Sequence, residues 1–214
     1  MPRLNALTRA VDAPVGTVVL LPGFADRPER FLARVDQLDP EARWTFVVLE
    51  PRLQGDRGPY WYHVDEDGPV AEELDAAVAA VRDELAALIA DGIAPPDTVV
   101  LAGFSQGGAL ALATTIDPDG GPMPAAVAVI SGYLAQRDEA SIDLGRTADR
   151  TVLVVHGEDD DVVETLRGRS AAKALQRADA RVTWAATDGG HRFDGDLLVP
   201  VREWLAALAR GERP

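Results

Sequence analysis

The sequence predicts an α/β domain built on a doubly wound, mostly parallel sheet with helices on both faces. Three observations lead there. Apolar runs of four to six residues, bounded by Gly, Pro or Asp, recur along the chain, as strands buried on both faces require. Between them lie longer stretches whose apolar positions repeat every three or four residues. The 214 residues, 47% hydrophobic and 26% charged, have the size and composition of one core, so residues 1–214 are expected to form a single domain.

In chain order, strands are expected at 17–21, 45–49, 98–102, 126–130, 151–155 and 181–185. Helices are expected at 30–38, 106–115, 165–178 and 194–210. The clearest helix carries Val70, Leu74, Val78, Val81, Leu85 and Leu88 on one stripe and is ended by Gly92 and Pro95. Strict alternation of strand and helix gives the doubly wound arrangement. Residues 50–69 and 131–150 lack periodicity and read as long functional loops, neither big enough for a lid domain.

Charge and composition exclude several classes. With 21 Lys and Arg against 35 Asp and Glu, the net charge of −14 repels nucleic acid and anionic membrane surfaces. The absence of cysteine removes disulfides, thiolate metal sites and a Cys nucleophile, and fits a reducing compartment. No early apolar run is long enough to span a membrane, so a cytoplasmic protein without stable membrane insertion is expected. The oligomeric state is open, with a homodimer admitted.

The strongest local signal is Gly103-Phe104-Ser105-Gln106-Gly107, set between an apolar strand and an apolar helix. From this chain's own Gly and Ser frequencies the pattern should arise by chance about 0.03 times. A serine placed on so sharp a strand-to-helix turn takes strained backbone angles, and side chains two residues to either side would collide, hence glycine at both places. The bland alternative is a Gly-rich turn that packs closely or cradles a phosphate; the Lys expected of a phosphate loop is missing.

A serine hydroxyl needs a base, and the base needs an orienting carboxylate. Of three histidines, His191 follows Gly189-Gly190 in the loop after the last strand, at the carboxyl edge of the sheet where the Ser105 turn must also lie. His63, in an aromatic loop, reads as an exposed or rim residue. His156 ends an apolar strand and reads as structural, its loss costing stability more than chemistry. The acid should come from the run Glu158-Asp159-Asp160-Asp161, which satisfies the order nucleophile, acid, base. Consecutive acids lack the spacing of a calcium loop, so no metal is expected. Two amides should receive the developing oxyanion: Gln106, which opens the helix, and Phe24, in the loop Leu21-Pro22-Gly23-Phe24-Ala25-Asp26; Pro22 has no N–H to give.

These residues resemble the phospholipase/carboxylesterase branch of the α/β-hydrolases, which includes acyl-protein thioesterases. The likeness covers most of the chain and rests on Leu21 to Asp26, Trp61-Tyr62, Gly103 to Gly108, His156-Gly157 through Val162-Val163, and Gly190-His191. It implies an α/β-hydrolase fold and a cofactor-free serine hydrolase acting on small-molecule carboxylic esters, with thioesters also in reach. It singles out Asp160 as the acid, with Val162 and Val163 as the aliphatic pair that follows; Asp161 is the second choice. Pro22 stands where the family usually has histidine. Substrate contacts are expected from Phe24, Leu53, Trp61, Tyr62, and Tyr133 or Leu134. A non-catalytic relative that binds a small ligand or a partner is the competing reading, and perhydrolase or acyltransferase activity would use the same triad.

Overall fold

The computed structural model describes residues 3–66, 68–135 and 142–214. Its strands are β1 (Ala6–Arg9), β2 (Gly16–Leu21), β3 (Trp44–Leu49), β4 (Leu53–Gly55), β5 (Gly58–Tyr60), β6 (Val64–Asp65), β7 (Gly68–Pro69), β8 (Val99–Phe104), β9 (Ala126–Ile130), β10 (Thr151–Gly157) and β11 (Arg181–Thr187). Seven of them form one sheet in the order β1-β3-β2-β8-β9-β10-β11. Only the edge strand β1 runs antiparallel to its neighbour. The expected strands are all present, several of them longer at the carboxyl end.

The helices are α1 (Pro28–Leu32), α2 (Val35–Leu38), α3 (Ala71–Ala90), α4 (Gln106–Thr115), α5 (Thr165–Arg177) and α6 (Leu198–Ala209). Strand side chains alternate between two faces. Val19, Leu21, Val47 and Leu101 pack under α3 and α4, whereas Val18, Leu20, Phe46 and Val100 pack under α1, α2 and α6. A third cluster joins α4 and α5 to β9 and β10. The stripe on α3 buries Leu74, Val81, Leu85 and Leu88, each worth about 1.5 to 3 kcal/mol on leaving water.

Four expectations are corrected. The helix expected at 30–38 is two short helices, because the chain bends at Ala33 and Arg34 so that Phe31 can stack on Phe193 while Leu38 packs toward α6. The helix expected from 194 begins as a 3-10 turn, Gly195–Leu197, and becomes α-helical at Leu198. Strand and helix do not alternate strictly, since the described residues between β9 and β10 contain only the 3-10 turn Leu144–Thr147. Residues 136–141 of the loop expected there lie outside the described residues. The segment 50–69 is not irregular: it folds into two small antiparallel ladders, β4-β5 and β6-β7.

Candidate active site

Ser105 sits between β8 and α4 with φ 54° and ψ −120°, a left-handed setting that costs a non-glycine residue about 1 to 3 kcal/mol. Its N–H donates to the Ile130 carbonyl at 2.8 Å and its carbonyl accepts from Ala109 at 3.0 Å, so both strand and helix hold the strain. The flanking glycines are a steric necessity. A Cβ on Gly103 would lie 2.2 Å from the Gly107 carbonyl oxygen, and one on Gly107 would lie 2.2 Å from that of Leu21.

His191 Nε2 lies 2.8 Å from Ser105 Oγ, and its Nδ1 lies 2.8 Å from Asp160 Oδ2. The three side chains form one hydrogen-bonded line. Two loops bring His191 and Asp160 together. Asp159 N–H donates to the Gly189 carbonyl at 3.0 Å, and Gly157 lets them close, for a Cβ there would stand 2.4 Å from the Gly189 oxygen. Asp160 Oδ1 accepts the amides of Val162 at 3.0 Å and Val163 at 2.8 Å. Burial pushes the Asp160 carboxyl pKa up, but the bonds from His191, Val163 and Val162 outweigh it and hold it below its ordinary value. Asp161, the second choice, is exposed.

Gln106 opens α4, so its N–H has no acceptor within the helix. Phe24 lies in the loop after β2, whose shape is fixed by Ala25 N–H donating to the Pro59 carbonyl at 2.8 Å. The β4-β5 hairpin thus braces the loop. Trp61 completes the brace, its indole donating to the Pro22 carbonyl at 2.8 Å. The Gln106 side chain ties the same pieces together: its Oε1 accepts from Trp61 N at 2.9 Å and its Nε2 donates to the Tyr62 carbonyl at 2.7 Å. This side-chain staple was invisible in the sequence, where only the Gln106 amide suggested a role.

Ser105 and His191 open onto a cleft of about 290 Å³ walled by Phe24, Phe104, Phe193, Asp26, Arg30 and Arg192, among others. Of the expected substrate contacts only Phe24 lines it. Trp61 and Tyr62 are buried in the core, because their polar atoms are taken up by the Pro22 loop and Gln106. Tyr133 and Leu134 line a separate groove beside Leu166 and Arg167, and Leu53 lies on β4 outside the cleft. Asp26, named in the sequence as part of the loop after β2 but given no role of its own, enters the cleft wall beside Ser105. Burial raises its pKa against the pull of Arg30, His191 and Arg34. A larger cavity of about 670 Å³ opens at the opposite end of the strands, around Val15, Thr98 and Thr151.

His63, expected to be exposed or at the rim, is exposed and pairs with Glu73 through Nδ1 at 2.9 Å. Among the described residues no cluster of three His, Asp or Glu could hold a metal, and no helix is long and apolar enough to cross a membrane.

Acid should weaken this region. Burial lowers the pKa of His156 below 6.5, so as pH falls the unfolded chain takes a proton that the folded chain refuses, and stability is lost from about pH 6.5 downward. Asp160, also depressed, adds its loss below its ordinary value of 3.8, whereas Asp26, raised, regains stability above 3.8, as pH falls through its raised value. The midpoint of thermal unfolding is therefore expected to drop between pH 7 and pH 5, and to drop less in His156→Gln. Equal drops in the two proteins would remove His156 as the cause.

A parallel sheet bearing a strained serine at a strand-to-helix turn, with histidine and aspartate delivered by later loops, defines the class of α/β-hydrolases. The sequence model of the phospholipase/carboxylesterase family matches residues 10–209, and the chain belongs to that family of hydrolases. A protein named "Probable carboxylesterase SOBER1-like" from Arabidopsis thaliana is 29% identical over 198 residues, covering 86% of this chain and 73% of its own. A "Probable inactive carboxylesterase" from Oryza sativa subsp. japonica is 31% identical over 212 residues, covering 89% and 84%. Among solved structures, the esterase PE8 shares the fold with a TM-score of 0.82 at 22% identity, over 96% of this chain and 99% of its own.

Proposed function

We propose that the protein hydrolyses carboxylic esters of small to medium acyl chain through a Ser105–His191–Asp160 triad and an acyl-enzyme. The unbroken line of two 2.8 Å hydrogen bonds from Ser105 Oγ to Asp160 carries this reading. His191 Nε2 takes the hydroxyl proton as Ser105 Oγ bonds to the ester carbonyl carbon, and the carbonyl oxygen becomes negative. The amides of Gln106 and Phe24 receive that charge, each worth about 3 to 4 kcal/mol in the transition state. His191 then gives the proton to the departing alcohol oxygen as its bond to the acyl carbon breaks. A water molecule repeats the sequence on the acyl-enzyme and releases the acid. Asp160 keeps the proton of the neutral ring on Nδ1 and balances the imidazolium. Thioesters fit the same steps, with a thiol as the leaving group. The cleft of about 290 Å³ suits small to medium substrates.

The resemblance to a relative named as inactive favours one alternative, a ligand-binding protein that keeps the fold and leaves Ser105 unactivated. A fluorophosphonate probe that labels activated serines separates the two. Wild type should label and turn over p-nitrophenyl esters, and Ser105→Ala should do neither. A folded wild type that resists the probe and spares every ester would establish the binder. Adding hydrogen peroxide or alcohols and analysing products distinguishes hydrolysis from perhydrolysis or acyl transfer.

A further inference from the structure

His156 is fully buried at the end of β10, and the mechanism above gives it no part. Its Nε2 lies 2.7 Å from the Val163 carbonyl oxygen and 3.2 Å from Asp160 Oδ2. A carbonyl can only accept, so the proton must sit on Nε2. Nδ1 is then bare, and it is buried without a hydrogen-bond partner. Burial also disfavours a second proton, which keeps the ring neutral.

Val163, whose carbonyl receives this bond, is the residue whose N–H donates to Asp160 Oδ1. The carboxylate is therefore held on Oδ1 by a backbone turn, and His156 ties down that turn. The same Nε2 also faces Oδ2, the oxygen that meets His191 Nδ1. The ring has no room to retreat. On its Nδ1 side α5 approaches so closely that a Cβ on Gly168 would stand 2.4 Å from Nδ1, and Trp184 lies near its face with ring centroids 6.5 Å apart.

We infer that His156 is a positioning residue for the triad acid: its Nε2–H, facing both the Val163 carbonyl and Asp160 Oδ2, fixes the carboxylate that orients His191. This rests on the hydrolase reading and revises the purely structural part that the sequence suggests for His156. Misplacing a catalytic group by about 1 Å can cost a hundredfold in rate, so a large effect is open to a residue that never touches substrate.

The test compares His156→Ala, His156→Gln, Gly168→Ala and the double variant His156→Ala/Gly168→Ala on one p-nitrophenyl ester. Rates are taken per folded molecule, with folding followed by circular dichroism. His156→Ala should lower kcat by about ten- to a hundredfold with KM within about twofold of wild type. Glutamine places an amide nitrogen near the position of Nε2, so His156→Gln should recover most of kcat. Gly168→Ala should lower kcat by crowding the ring, and should cost little more once the ring is gone. Should His156→Ala fail to fold, His156→Gln and Gly168→Ala decide by themselves, with kcat near wild type expected in the first and reduced in the second. The inference is overturned if His156→Gln is no better than His156→Ala, if Gly168→Ala leaves kcat unchanged, or if the two losses simply multiply. Absence of wild-type turnover and probe labelling would instead remove the hydrolase reading on which it stands.

Discussion

Asp160→Asn is expected to lower turnover by about four orders of magnitude in a protein that still folds. The size follows from hydrogen-bond polarity around the carboxylate. Oδ1 accepts two backbone amides, those of Val162 and Val163, so an asparagine must turn its carbonyl oxygen toward them. Its NH2 group then occupies the place of Oδ2 and points at His191 Nδ1. A donor facing Nδ1 drives the ring proton to Nε2, where it faces Ser105 Oγ and can no longer take the hydroxyl proton. Asp161→Asn changes an exposed side chain and should leave turnover near normal. Steady-state kinetics on both variants decide the matter. A large loss in Asp161→Asn with near-normal Asp160→Asn would shift the acid by one residue.

Gly107→Ala should damage the protein severely although it replaces one hydrogen by a methyl group. Gly107 lies inside α4, where alanine alone would favour the helix by about 1 kcal/mol. Its Cβ, however, would lie 2.2 Å from the Leu21 carbonyl oxygen and 2.5 Å from that of Pro22, both rigid backbone. Overpacking of this kind costs about 1 to 3 kcal/mol even when side chains can adjust, so the clash outweighs the propensity. The forced movement is of the segment that leads to the Phe24 amide. A net loss of about 2 kcal/mol or more in urea denaturation is expected, with activity falling further than stability explains. Wild-type stability and rate in Gly107→Ala would show that the end of β2 yields freely, and that its fit against α4 is not what sets the oxyanion loop.

Much of the architecture could be read from local pattern, because strands buried on both faces are largely apolar and α3 repeats its leucines and valines at helical spacing. β1 escaped because it is a four-residue edge strand with alternating exposure, too short and too polar to stand out. The β4-β5 hairpin escaped for a different reason. Its role is to support the loop after β2 through Pro59 and Trp61, and such long-range backbone bonds leave no periodicity behind. Trp61 and Tyr62 show the limit of inference from residue type: two aromatics beside a functional loop suggest a substrate wall, yet both are spent on the core and on Gln106. For His156 a signal was present, an imidazole four residues before the proposed acid, but chain proximity alone does not say which way a ring points.

The sequence by itself determined the kinds of chemistry open to this protein. Lacking cysteine and holding three histidines, with glycines at 103 and 107 around a serine, it left an oxygen nucleophile on a sharp turn as the strongest reading, since only residues without a Cβ allow that turn. Among four adjacent acids only the family resemblance pointed to Asp160, and the tertiary structure decided that it is this one that faces His191, and decided which aromatics line the cleft and which hold it up. Those choices depend on loops separated by 31 and 86 residues closing to hydrogen-bond distance. Packing of the whole sheet sets that closure, and no short window of sequence contains it.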